Sequence, residues 1–290
     1  MSEITHDNAR DEILEVKHLP PLSITATRLL EAVGDPDIDV ESLADIINHD
    51  PGLMGRIVGL ANAAYFGQRN PITTVQEAII RVLGINMVKS LALSISVSGA
   101  FQTNSCSGFD TKEYWFRAIG CATMSRMMAL RMPIDERPDP DRVYLCGLLH
   151  NLGYLVLAHL FPSELSKLFA IVDEDKTVDF ESLQREHLGV DWISAGEWLV
   201  GRWHLPNFIG QAMRAVADPA SATDHDYDTA LVRSSLKWLD GLPDSEPDEA
   251  RLNRDEVLSS MPGLGVDALD VIEDKFLSQC EELHSLAACL

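Results

Sequence analysis

Val143-Tyr-Leu-Cys-Gly-Leu-Leu-His-Asn-Leu-Gly-Tyr-Leu-Val-Leu-Ala-His-Leu-Phe161 is the stretch that decides the fold. It reads as an almost wholly apolar helical run with one His-Asn pair, His150 and Asn151, at its middle. A helix that is apolar on nearly every face belongs at the centre of a domain, so both polar side chains are expected to be buried or to line a cleft. The length would also suit a bilayer, which takes about 20 apolar residues. However, His150, Asn151 and His159 lie inside the run and Gly147 and Gly153 loosen it, so no membrane span is expected. A buried histidine needs a partner, which is either a bound group or, as for most lone core histidines, a backbone carbonyl. At about 100° per residue His159 falls half a turn round from His150, so on a straight helix the two cannot ligate one ion.

Outward from this run the chain carries helix signals and no convincing period-2 strand, which predicts an all-α protein. Ser23, Asp39, Asp50, Asp179 and Asp191 each stand as an N-cap before an apolar-periodic segment. Thr74-Val-Gln-Glu77 has the form of a capping box and opens a helix over Val75 to Leu83; Gly84 then turns the chain into another from Ile85 to about Phe101. That pair has the outline of a helix-turn-helix, but Leu91, Leu93, Ile95 and Val97 mark its second helix as core rather than as a reader of a DNA groove. The polar loop Thr103 to Gly108 places a boundary between an N-terminal lobe, residues 1–102, and a second lobe, residues 109–240. Residues 241–290 read as an acidic linker followed by amphipathic helices near Arg251 to Ser260 and Val266 to Leu286 that lie beyond the core pattern.

Composition narrows the function classes. The chain has 290 residues, 46% of them hydrophobic, enough for a sizeable core. Met1 to Asp11 is polar and acidic, unlike a secretory leader, and the five cysteines form no CxxC pair, so reduced thiols in a cytoplasmic protein are expected. The net charge is −22, and residues 215–290 alone hold 17 acidic and 5 basic side chains. Such a surface repels nucleic acid, whose binding draws on Lys and Arg, and suits a basic or neutral protein partner or simply a solvated face.

The segment Leu19-Pro-Pro-Leu22 and the phrases Ile47-Asn-His-Asp-Pro-Gly-Leu53, Leu60-Ala-Asn-Ala-Ala-Tyr-Phe-Gly67 and Ala78-Ile-Ile-Arg-Val-Leu-Gly84 closely resemble the HDOD family, the HD-related output domain. Phe109 to Trp115, Gly147-Leu-Leu-His-Asn-Leu-Gly153, Leu188-Gly-Val-Asp191 and Arg202-Trp-His-Leu-Pro206 continue the pattern in order, so the resemblance covers roughly residues 15 to 240. It implies a two-lobed all-helical fold, its second lobe related to the HD phosphohydrolases. It also implies a place among bacterial signal-transduction output or adaptor modules, most of which lack the parent activity.

On the HD pattern the first histidine falls on Arg117 and the central one is kept as His150. The paired aspartate is Asn151, a later histidine is Trp192, and no acidic residue stands in Leu231 to Leu239, where the closing aspartate is due. A catalytic divalent ion needs about three protein ligands, so the resemblance predicts no metal, no cofactor and no catalysis at this vestigial site. Arg117, His150 and Asn151 are instead candidates to hold an anion such as a nucleotide phosphate, unless Arg117 pairs with a nearby carboxylate. The expected role is a non-catalytic module that binds a regulatory protein, with a nucleotide as a second candidate ligand and neither nucleic acid nor membrane as partner. The competing readings are a nucleotide sensor and a metal-dependent phosphohydrolase with a rearranged ligand set drawn from His150, His187, His204 or an acidic side chain from elsewhere in the fold. For His187, in the last turn of its helix, an interaction with the helix dipole is the simpler role.

Overall fold

Helices begin in this protein where short polar side chains can satisfy otherwise unpaired backbone amides. In the computed structural model, which describes residues 19–63, 71–175, 177–217, 227–241, 257 and 263–290, Ser23 Oγ accepts from Ala26 N at 3.0 Å to open α1 (Ile24–Gly34). Asp39 Oδ1 accepts from Ser42 N at 2.7 Å at the head of α2 (Val40–Asn48), and Asp50 with Pro51 starts α3 (Pro51–Asn62). Asn62, from the Leu60-Ala-Asn phrase, staples the loop that follows: its amide donates to Ile72 O and its oxygen accepts from Ile72 N, both at 2.7 Å. Thr74 caps α4 (Val75–Ala78), but the expected helix to Leu83 widens into a π turn over Ile79–Leu83. The cause is Gly84, whose φ of 78° lets its N–H reach Ile79 O, five residues back.

α5 (Ile85–Ser98) buries Leu91, Leu93, Ile95 and Val97, and even Lys89 is enclosed, donating to Asp35 O at 3.2 Å. The second helix of the pair outlined as a helix-turn-helix is therefore inside the protein. Beyond the Thr103–Gly108 loop come α6 (Thr111–Ala129), α7 (Pro140–Leu149), α8 (Leu152–Leu160) and α9 (Pro162–Glu174). α10 (Phe180–Leu188), α11 (Trp192–Arg202), α12 (Asn207–Ala217) and α13 (Tyr227–Gly241) complete this side. No strand occurs among the described residues and the fold is all-α. One apolar core runs through the helices on both sides of the loop.

The central run differs from the expectation of one continuous helix: it is two helices, α7 and α8, that meet at His150 and Asn151. Asn151 has left the helical region, at φ −103° and ψ 12°, and donates to Tyr114 O at 3.1 Å. A short amide side chain that finds a backbone partner elsewhere competes with helix continuation. The residues from Pro140 to Leu160 are long and apolar enough to cross a bilayer, but 89% of their most apolar window is buried against other helices.

Gly147 and Gly153 do not loosen the run as their type implied; they are contact points. A Cβ at Gly147 would come within 2.6 Å of the Ala122 amide nitrogen on α6, and one at Gly153 would overlap the Trp192 carbonyl at the head of α11. The absence of a side chain is what lets three helices converge on the His-Asn junction.

The extra C-terminal helices, whose amphipathic pattern allows packing on the core or on a neighbour, lie on the core. α14 (Val266–Ser278) and α15 (Cys280–Ala288) lie on α6, with Phe276 and Leu283 fully buried. Phe116 of α6 stacks on His284 with ring centroids 3.7 Å apart, and Gly120 leaves space for Leu239 and Phe276. The amphipathic pattern was visible, but its apolar face has its partner at a sequence distance that periodicity does not report. The acidic linker, the helix near Arg251 to Ser260 and the end of the Leu60 to Gly67 phrase lie outside the described residues. No disulfide joins the five cysteines.

Candidate functional site

A cavity of about 420 Å³ opens where α6, α8, α10, α11 and α13 approach one another, within the usual size range of small-molecule sites. Arg117, His150, Asn151 and Trp192, the four positions of the vestigial pattern, all line it. Each is placed by its own element. Arg117 comes from the second turn of α6, a helix capped by Asp110 through the amides of Lys112 and Glu113. His150 and Asn151 form the α7–α8 junction. Trp192 opens α11 directly after Asp191, which accepts from Ser194 N and is paired with Arg185 at 2.6 Å. Gly189, at φ 73°, ends α10 and turns the chain into this cap.

His150 is buried and its Nδ1 lies 2.7 Å from Gly147 O. A carbonyl only accepts, so Nδ1 carries the proton and Nε2 holds the lone pair. Burial pushes the imidazole pKa down to about 4, with the nearby Arg117 charge acting in the same direction against the Gly147 bond, and the ring is neutral at physiological pH. The plain core-histidine partner is thus in place, and one nitrogen remains directed to other use.

Asn151 is equally buried, and with its amide group on Tyr114 O its Oδ1 has no partner among the described residues. Trp192 donates from Nε1 to Glu181 Oε1 at 3.0 Å, and its ring stacks on Tyr154 at 4.8 Å between centroids and 12° between planes. Phe180 lies on the same ring at 6.3 Å.

Arg117 meets Asp240 at 2.6 Å. Partial burial would lower the guanidinium pKa, but the charge of Asp240 and its hydrogen bond outweigh this and hold it raised, so the cation is permanent. Asp240 lies one position beyond the stretch Leu231 to Leu239, on the last turn of α13, where it pairs with Arg117. Tyr154, Glu113 and Glu181 were also not singled out in the sequence. Tyr154 carried a signal, since it follows His150 by four residues and so shares its face on a helix; the others are brought in only by tertiary packing.

His159 points elsewhere, its Nδ1 accepting from Gln102 N at 3.1 Å and its ring edge-on to Phe101. His187 and His204 are exposed and neither lines the cavity; His187 bonds Leu183 O within its own helix. Among the described residues no group of three or more His, Cys, Asp or Glu side chains is placed to hold a metal ion. With one imidazole nitrogen available and a guanidinium alongside, these residues do not fit the hydrolytic metal of the HD enzymes. Unit positive charges about 4 Å apart repel by about 4 kcal/mol at an effective dielectric near 20.

A family model described as the HDOD domain matches residues 19–219. The chain belongs to the HDOD family. Among solved structures, this HDOD protein is similar over all of its length to a candidate signal transduction protein from Marinobacter aquaeolei VT8, at 22% identity and a TM-score of 0.81, covering 67% of that chain. It is similar over 97% of its length to an HDOD domain protein of unknown function from Geobacter sulfurreducens, at 20% identity, a TM-score of 0.78 and 97% of that chain. A candidate phosphohydrolase from Shewanella amazonensis SB2B matches 97% of the chain and 98% of its own, at 22% identity and a TM-score of 0.77. At these identities the likeness is one of fold. An uncharacterized protein of Treponema pallidum (strain Nichols) is 27% identical over 236 residues, which is 80% of this HDOD chain and 44% of that relative's length.

Proposed function

We propose that this HDOD protein is a non-catalytic signalling module of a bacterial pathway, working in the cytoplasm, whose degenerate HD cleft binds without hydrolysing and whose output is contact with a regulatory protein. The observation that supports this most is the Arg117–Asp240 pair at 2.6 Å inside the cleft. It places a cation where the superfamily pattern asks for a histidine ligand, while His150 has committed Nδ1 to Gly147 O. Asn151 and Trp192 remove two further ligands. The net charge of −22 favours a neutral or basic partner surface. A small-molecule sensor is the second reading, favoured by the 420 Å³ cavity that remains open.

The phosphohydrolase reading draws on His187, His204 or an acidic side chain beside His150; against it stand the two histidines, which lie outside the cleft, and Asp240, the carboxylate paired with Arg117 there. Purified protein with Mn²⁺, Mg²⁺ or Fe²⁺ and a panel of nucleotides, cyclic dinucleotides included, is expected to show no turnover. Sustained hydrolysis that disappears in His150→Ala would overturn the proposal.

A further inference from the structure

The walls of the cleft offer acceptors and negative charge, and its one guanidinium is already neutralised. Building on the reading of the cleft as a site that binds without hydrolysis, we propose that it takes an organic cation bearing N–H donors, an alkylammonium or alkylguanidinium group, and not a phosphate.

Three independent features carry this. The first is hydrogen-bonding polarity at the junction. Asn151 is 4% exposed and has spent its NH₂ on Tyr114 O, leaving Oδ1 buried without a partner among the described residues. With Nδ1 on Gly147 O, His150 has only an acceptor, Nε2, left to offer. A buried acceptor without a donor is a standing cost that a donor-bearing ligand removes and an anion, which brings further acceptors, cannot.

The second is charge. Asp110, Glu113, Glu181 and Asp240 line the cavity against Arg117 alone among the described residues. Asp110 is occupied with its helix cap, Glu181 with the Trp192 indole and Asp240 with Arg117. Glu113, in the first turn of α6, is exposed, and its carboxylate, though close enough to act on the Arg117 charge, makes no hydrogen bond or ion pair within the described residues. A phosphate entering here would meet this excess of carboxylates, which makes the earlier assignment of Arg117, His150 and Asn151 to an anion the weaker one.

The third is the aromatic wall. Tyr154, Trp192 and Phe180, the last two each stacked on Tyr154, all line the cavity. Ring faces attract ammonium and guanidinium groups and give nothing comparable to phosphate. Acceptor, carboxylate and aromatic surface together match a cation's donor, charge and stem.

Such a cation has two sources, a free small amine or the Lys or Arg side chain of a protein partner, and one titration series distinguishes them. Butylguanidinium, butylammonium and a blocked Gly-Arg-Gly peptide are titrated by calorimetry into the full-length protein, with inorganic phosphate as the opposing probe. Saturable binding of the cations is expected at one site, weakened by salt. Glu113→Gln, an exposed position that leaves the core intact, is expected to weaken it about tenfold, equivalent to about 1.4 kcal/mol, and Asn151→Leu to abolish it. A peptide that binds at least as well as butylguanidinium assigns a partner's side chain; preference for the free cation assigns a small molecule. The proposal is overturned if no cation saturates below about 10 mM, if phosphate binds in their place, or if Glu113→Gln leaves affinity unchanged. Nucleotide turnover in the same preparation would remove the underlying reading as well, whereas missing cation binding without turnover removes this assignment alone.

Discussion

The two sides of the cleft hold their polar side chains in different ways. At the α7–α8 junction, His150 and Asn151 are buried and held by backbone carbonyls, of Gly147 and Tyr114, inside a contact so close that two glycines are required. Across the cavity, Arg117 and Asp240 face each other with side chains 33% and 59% exposed. The junction ties its polar side chains into the architecture, whereas the α6–α13 wall presents a partly exposed charged pair. Substitutions at the junction are therefore read out in folding as well as in binding, and those at the wall chiefly in binding.

The largest effect belongs to Gly153→Ala. Its methyl overlaps the Trp192 carbonyl, and overpacking against backbone should cost about 3 kcal/mol or more, lowering the urea midpoint at constant slope. A near-neutral result would mean that α8 and α11 are free to separate. Next comes the pH dependence of His150. Its unfolded pKa is near 6.5 and its folded one about 4. Between those values the unfolded chain binds a proton that the folded chain refuses, so stability is highest above pH 6.5 and is lost as pH falls toward 4, by an amount on the order of 3 kcal/mol. His150→Gln should flatten that part of the stability profile relative to the native protein. An unchanged slope would mean that the ring is not enclosed.

Asn151→Ala should cost about 0.5–1.5 kcal/mol by removing the bond that ties the start of α8 to Tyr114 O, measured by the same denaturation. At the wall, Arg117→Ala is the small one. The pair it breaks is half in solvent, and about 1 kcal/mol or less is expected. A thermal midpoint shift matching that of Gly153→Ala would erase the distinction between the two sides.

The same division shows what the sequence could convey. Caps such as Ser23 and Asp39 bond to amides three residues on, so they were readable from local spacing, whereas the break of the central run into α7 and α8 was not. The His-Asn pair was recognisable as the centre because a polar pair inside an apolar run is conspicuous. Gly147 and Gly153 were misread because the atoms they accommodate, at Ala122 and Trp192, come from other helices. Asp240 escaped because the phase of α13 relative to Arg117, 123 residues earlier, is set by packing and not by any local signal. The docking of Phe276 on α6 was hidden for the same reason. Arg117, His150, Asn151 and Trp192 could be gathered only through the family pattern, Tyr154 by its spacing from His150, whereas Glu113 needed coordinates.

The central claim is that the cleft has exchanged metal capture for a paired arginine. Elemental analysis of protein purified without chelator, supplemented with Mn²⁺ or Fe²⁺ and desalted, tests it most directly. The account predicts substoichiometric metal that is the same in the native protein and in His150→Ala. One equivalent of a transition metal in the native protein, lost in that variant, would contradict it.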